Sequence, residues 1–262
     1  MADNLTVEEQ GAIAVVRLNR QEARNALSRA LMRDLIAAAD ALRIRTDIQA
    51  IVLSGGPDFF SAGADLADPE RNPPDATLLE RRQAIKLGPD LCAAWESLEQ
   101  VTICAIEGFC IGGGVALAVA CDFRILGQSA RMRLPEIPLG MNMSWRSLPR
   151  LAALMGPAKA KRFVLFGEPL NAEACLASGL ADAVVANGGA ESEALDWAQR
   201  IADLPPLPVR MTKEAINAAV NAGHAAASFM DRDQFLLTSR STDMAEGVQA
   251  FFEKRKPEFR GD

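Results

Sequence analysis

The chain has 262 residues, 49% of them hydrophobic, with 28 basic and 34 acidic side chains and a net charge of −6. This length carries one large domain, or a domain with a smaller appendage, and supplies enough apolar residues for a sizeable core. The acidic balance offers no long-range attraction for nucleic acid or an anionic membrane, so neither partner is expected, although a small basic site for a phosphorylated ligand remains compatible with it.

The opening MADNLTVEEQ has no basic region followed by an apolar run, so no signal peptide is expected. Residues 13–18 (IAVVRL) read as a strand rich in β-branched residues. Ser28 can cap a helix over 29–44, with Leu31, Leu35, Ile36 and Leu42 as its apolar stripe. A short buried strand over 48–53 ends at the turn signal Ser54-Gly55-Gly56-Pro57. Residues 58–77 read as a loop broken by Pro69, Pro73 and Pro74, and 78–98 as a helix interrupted at Gly88-Pro89. The most apolar stretch, 101–121, contains Glu107 and three successive glycines. A strand over 101–106, a turn and a buried helix from Gly112 to about Ala120 therefore fit it better than a membrane span. A strand over 122–126 comes next. Beyond Leu148 helical patterns dominate, at 157–166, 171–178, 190–203, 207–221, 225–239 and 242–254. Strands spaced by helices predict a parallel-sheet α/β architecture over 1–203. Leu204-Pro205-Pro206-Leu207-Pro208 opens an all-helical region, 204–262.

The single histidine, His224, follows Gly223 between two helical stretches and is expected as a cap or surface residue; its isolation excludes a His-rich metal site. Cysteines 92, 104, 110, 121 and 175 are odd in number, form no CxxC pair and mostly lie in apolar runs. They are read as buried reduced thiols, which suits a cytoplasmic setting.

Three segments carry candidate chemistry. Phe59 to Asp65 (FFSAGAD) places small residues after a strand, which lets backbone approach a ligand closely, although strand-end turns often look alike. Residues 106–117 (IEGFCIGGGVAL) put glycines at a strand-to-helix junction. Free N–H groups there stabilise negative charge; tight packing is the alternative, since neither GxxxxGK[ST] nor GxGxxG is spelled. In 134–140 (LPEIPLG) a carboxylate sits among apolar residues and prolines. It is either an exposed turn acid or a buried one with a raised pKa suited to proton transfer.

In this order and spacing the three segments resemble the enoyl-CoA hydratase/isomerase (crotonase) family. Leu18-Asn19-Arg20, Asn25-Ala26-Leu27, Ala120-Cys121-Asp122 and 251–256 (FFEKRK) extend the resemblance over essentially the whole chain. It implies a spiral of ββα turns with a C-terminal helical region that forms trimers, often paired into hexamers. It implies an acyl-CoA thioester as substrate, with coenzyme A part of that substrate, and neither cofactor nor metal. The family's oxyanion hole, two backbone N–H groups that grip the thioester oxygen, maps onto Ala64 and Gly113, and its general acid/base onto Glu136. CoA contacts map onto Ser61 and Ala62, with Asp65 and Leu66 beside them and Arg24 as a phosphate candidate. Phe251 and Lys254 match positions that reach the CoA of a neighbouring subunit; a solvated helix end is the competing reading for Lys254.

Two departures bear on the reaction. The best-known hydratases of the family carry a second glutamate where this chain has Ala116, and a glycine-rich stretch where it has Met143, Ser144, Trp145 and Arg146. Ala116, Ser144 and Trp145 are pocket candidates; the bulky Met143, Trp145 and Arg146 change the pocket floor if they point inward and are ordinary helix-start and packing residues if they do not. One carboxyl suits moving a proton from C2 to C4, so conversion of a 3-enoyl to a 2-enoyl thioester is the favoured expectation. Hydration of a 2-enoyl-CoA to a 3-hydroxyacyl-CoA and non-catalytic acyl-CoA binding are the alternatives. The positions that would be acidic in a dienoyl-CoA isomerase are Ala116 and Ser144, which disfavours that activity. RNA binding, known for a family relative, is disfavoured by the acidic balance.

Overall fold

The computed structural model describes residues 4–70 and 75–262; Pro73 and Pro74 of the proline-broken loop lie outside the described residues. In chain order come strands β1 (Leu5–Gln10) and β2 (Ile13–Leu18), helix α1 (Arg29–Arg43), β3 (Ala50–Ser54), α2 (Leu78–Ala84), α3 (Leu87–Glu96), β4 (Val101–Ile106) and β5 (Phe109–Ile111). Next are α4 (Gly113–Ala118), β6 (Phe123–Gly127), β7 (Arg131–Arg133), α5 (Ser147–Met155), α6 (Pro157–Phe166), β8 (Leu170–Asn171), α7 (Ala172–Ser178) and β9 (Ala183–Val185). The helices α8 (Ala190–Ala202), α9 (Pro206–Asn221), α10 (His224–Ser228), α11 (Asp231–Thr238) and α12 (Thr242–Glu253) complete the chain.

The large sheet has the order β1-β2-β3-β4-β6-β9 and is parallel except for β1, which pairs antiparallel with β2. Its strands alternate between two buried faces. Ala14, Val16, Leu18, Ile51 and Leu53 point into the main core with α1, α3 and α4, while Ile13, Val15, Val52 and Ile103 pack on Ala190, Ala194 and Ala198 of α8. Glu107, buried, accepts from the Ala190 N–H at 3.0 Å and so places a carboxylate at the start of α8, where the helix dipole favours negative charge. A second sheet, β5-β7-β8, pairs β5 with β7 in parallel. Strand, short strand, helix therefore recurs as β4-β5-α4 and β6-β7-α5.

The expected elements are largely present, with differences of physical origin. Ser28 Oγ accepts from the Leu31 N–H at 3.2 Å and caps α1 as its sequence suggests. The helix over 78–98 breaks at Ile85-Lys86 instead of Gly88-Pro89, because a proline in the first turn of α3 has no helical N–H partner to lose. The helix expected over 225–239 divides before Asp231, whose carboxylate accepts from the Arg146 N–H at 2.8 Å. Strand β1 is almost wholly exposed and so lacks the alternation that marks a strand. β5, β7, β8 and β9 have two or three residues each, too few for a periodic signal. His224 corrects its expectation: it is buried, with Nδ1 3.9 Å from Glu96 Oε1. All five cysteines are free and buried. No helix among the described residues is long and apolar enough to cross a membrane.

Asn25 ties the first loop to the second. Buried and left-handed (φ 51°), it donates through Nδ2 to the carbonyls of Gly55 (2.8 Å) and Phe60 (3.1 Å), and its Oδ1 accepts from the Arg20 N–H (3.0 Å). Asn25→Ala strands these buried groups and is expected to lower stability by about 2–3 kcal/mol. The shift of the urea midpoint at constant slope measures this.

Candidate active site

Three chain segments run side by side and end at one edge. Ser61 forms a parallel bridge with Cys110, and β5 pairs with β7 so that Ile111 lies opposite Arg133. The stacked rings of Phe59 and Phe109, 5.0 Å apart, fasten the first pair, and the Gly112 N–H donates to Arg133 O at 2.9 Å just past the second. Residues 62–64, 112–113 and 135–136 are thereby delivered together. They line a cavity of about 150 Å³ whose wall also includes Met143, Ser144 and Trp145.

Glu136 starts a 3-10 turn over Ile137–Leu139, and its carbonyl accepts from the N–H groups of Leu139 (3.1 Å) and Met141 (2.9 Å). α12 braces the turn from behind, with the backbone of Leu139 closing on Gly247. The Glu136 carboxyl faces Gly112, which has φ 53°; a Cβ there would lie 2.7 Å from Oε1. The backbone conformation favours glycine at that position, and any side chain there would displace the Glu136 carboxyl. Glu136 is half-buried as a residue, but its Oε2 is enclosed and has no hydrogen-bond partner. Burial pushes its carboxyl up to about 7, against the smaller opposing pull of its own backbone N–H and the Arg133 charge. Among the described residues the Ala64 and Gly113 N–H groups meet no protein acceptor. For Gly113 this reflects its place at the first position of α4. A cavity with two unbonded N–H groups and one carboxyl poised between its charge states can hold a carbonyl oxygen and exchange a proton nearby.

The model of the enoyl-CoA hydratase/isomerase family matches residues 8–262. The chain belongs to that family. Over 98% of both chains it is 33% identical to the 2,3-dehydroadipyl-CoA hydratase of Escherichia coli and 35% identical to a probable enoyl-CoA hydratase of Rhizobium meliloti. A crystal structure of an enoyl-CoA hydratase/isomerase from Pseudoalteromonas atlantica superposes with a TM-score of 0.86 at 28% identity, covering 98% of this chain and 100% of that one. The crotonase-like fold expected from the sequence is therefore present, and the chain is an enzyme of the enoyl-CoA hydratase/isomerase family.

Against the residues expected from the family, the structure brings Ala62, Ala64, Leu66, Gly113, Glu136, Ser144 and Trp145 to the small cavity. Ser61 is fully buried and held by its neighbours, donating to Asn25 O (2.7 Å) and accepting from the Gly63 N–H (3.1 Å). Asp65 pairs with Arg20 at 3.0 Å and faces a second, larger cavity. Ala116 is fully buried inside α4. Arg24, Phe251 and Lys254 line neither cavity within one chain, and all three are exposed. Arg146, whose bulk would matter if it turned inward, is not part of the wall.

Trp145 turns inward, the first of its two readings. It and Arg146 both have left-handed backbones (φ 60° and 57°), a costly conformation for bulky residues. Its indole fills the space beside Gly88 and Gly113; side chains at either glycine would collide with the ring. Trp145 thus separates the small cavity from the larger one, and the sequence signal for this is the pair of glycines on two different helices. Among the described residues no group of His, Cys, Asp and Glu could hold a metal ion.

A carboxyl whose folded pKa lies above its unfolded value favours folding below the unfolded pKa and loses that contribution as pH rises through the folded one. Glu136→Gln is accordingly expected to gain melting temperature relative to the parent as pH rises from about 4.5 to about 7, and to hold that gain above it, read by calorimetry across that range.

Proposed function

We propose that the chain hydrates a 2-enoyl-CoA thioester, with Glu136 as its one acid/base. The observation that carries this reading is the enclosed Glu136 carboxyl, raised to about 7, sharing a cavity with the unbonded N–H groups of Ala64 and Gly113. The thioester oxygen accepts from those two N–H groups. A water attacks C3 while the Glu136 carboxylate takes its proton, and the electrons of the double bond move onto the thioester as an enolate. Glu136 then returns a proton to C2 and is a carboxylate again. Hydroxyl ends on C3 and hydrogen on C2, so the balance closes without redox chemistry, cofactor or metal. A group with a pKa near 7 both accepts and donates a proton readily near neutral pH. Asn142 and Ser144 share the wall and supply polar atoms that orient the water, and the relatives named above are called hydratases.

Isomerisation of a 3-enoyl thioester is the second reading. Ala116 favours it, because among the described residues no second carboxylate lines the small cavity. Assembly into trimers, or hexamers of paired trimers, suits the exposed apolar side chains Leu207, Met211, Ile216 and Val220 along α9. In that arrangement residues 204–262 form the assembly region on a 1–203 catalytic body, and Phe251 and Lys254 reach a neighbour's CoA. Five buried free thiols fit a cytoplasmic protein.

Purified enzyme offered both thioesters decides between the reactions: hydration removes the 2-enoyl absorbance, while isomerisation creates it from the 3-enoyl compound. Glu136→Gln is expected to lower kcat by about 10²–10⁴-fold, and unchanged turnover would overturn the assignment. Because the free enzyme must present a carboxylate, kcat/KM is expected to rise with pH and level above about 7. Ser144→Ala is expected to slow hydration by up to about tenfold, the worth of one hydrogen bond, with little change in KM.

A further inference from the structure

Beyond Trp145 lies a cavity of about 500 Å³, bounded by the starts of α1 and α3, by α2 and by α11. It shares Ala64, Trp145 and Phe235 with the small cavity, so a thioester held at Ala64 and Gly113 has its acyl chain directed along the indole into this space. Much of the wall is apolar, including Leu27, Met32, Ile85, Leu87 and Leu236, which suits methylene groups. An ordinary hydrocarbon tail would need no more than that.

The same wall carries three guanidinium groups, Arg29, Arg81 and Arg240, and two carboxylates, Asp65 and Asp68. Both carboxylates are occupied by other groups. Asp65 pairs with Arg20 at 3.0 Å and accepts from the Ala67 N–H at 3.0 Å. Asp68 accepts from the N–H groups of Arg29 (2.6 Å) and Glu70 (2.9 Å). Glu70 lies 3.9 Å from Arg29 Nε but is held at 2.8 Å by Arg33. Backbone carbonyls position two of the arginines: Arg29 Nη1 donates to Ala84 O (3.2 Å) and Arg81 Nε to Ala76 O (3.1 Å). The ion pair of Arg82 with Asp233 ties α2 to α11 across the cavity. A local surplus of positive charge on an apolar pocket, in a chain of net charge −6, marks a place for an anion attached to a hydrocarbon.

Resting on the proposed reaction at Glu136, we propose that the preferred substrates are enoyl-CoA thioesters whose acyl chain ends in a carboxylate, received by Arg240 and Arg29. The planar fork of a guanidinium matches a carboxylate better than any other side chain, and two of them, one at the start of α1 and one just past α11, let chains of different length find a partner. Trp145 separates the reacting carbons from that anion.

The test compares two 2-enoyl-CoA thioesters of equal carbon count, one ending in methyl and one in carboxylate. Wild-type enzyme is expected to favour the carboxylate-ended compound by about tenfold or more in kcat/KM, and Arg240→Gln to shrink that ratio about tenfold. Arg240 is exposed, so its variant carries little risk to folding. A wild-type preference for the methyl-ended compound overturns the proposal. So does an equal loss on both substrates, which would make the arginines contacts to CoA phosphates. Dissociation constants measured by calorimetry give the same ratio without turnover. A protein that binds both thioesters and transforms neither would remove the proposed reaction, while the two constants would still decide the specificity.

Discussion

The candidate site depends on a register: Ser61 beside Cys110 and Ile111 beside Arg133, all in parallel. Parallel neighbours end at the same edge, so the residues just past each strand are brought to the same place without long side chains reaching across. Here those residues supply two backbone amides and one carboxyl. A slip of one residue between β5 and β7 would turn Ile111 and Arg133 to opposite faces and carry Glu136 away from Gly112. Asn25 guards the third segment from outside the sheets, fixing the Gly55 and Phe60 carbonyls so that the loop leading to Ala64 has one conformation.

Burial gives Glu136 its character and also makes it a liability. An enclosed carboxyl oxygen without a partner opposes ionisation, which keeps the group near the midpoint of its titration at neutral pH. The surroundings do little to relieve it. Arg133 lends some attraction, but its Nε is committed to Gly167 O at 2.8 Å. Trp145 adds a second cost in its left-handed backbone, held in part by Asp231 at the next residue. Strain and an unsatisfied acid meet at one small cavity, while the surrounding sheet and helices are ordinary in packing.

Much of this is legible in the sequence because the relevant signals are local. Ser28 announces a helix start, the β-branched run 13–18 a strand, and Gly112 to Gly114 a helix whose first amides are bare. Glu136 among prolines reads equally as exposed or buried until the neighbouring segments are placed beside it. The short strands escape because two or three residues have no period, and β1 because an edge strand need not alternate. Trp145 is legible as a pocket candidate, but its contact with two glycines is not. Gly88 reads as a helix breaker and Gly113 as an oxyanion residue, and only three dimensions show that one indole lies against both. The arginines of the larger cavity come from α1, α2 and the segment just past α11, and no spacing in the sequence relates them.

The last long helix has a part beyond packing. α12 presses on the turn that carries Glu136: the backbone of Leu139 sits where a side chain at 247 would be, and Gly140 meets the backbone of Asp243. On a ribosome the strands and amides of the site emerge before α12. The nascent chain therefore carries an unbraced carboxyl until α12 has emerged, and a product cut short before α12 lacks the support behind the turn that holds Glu136.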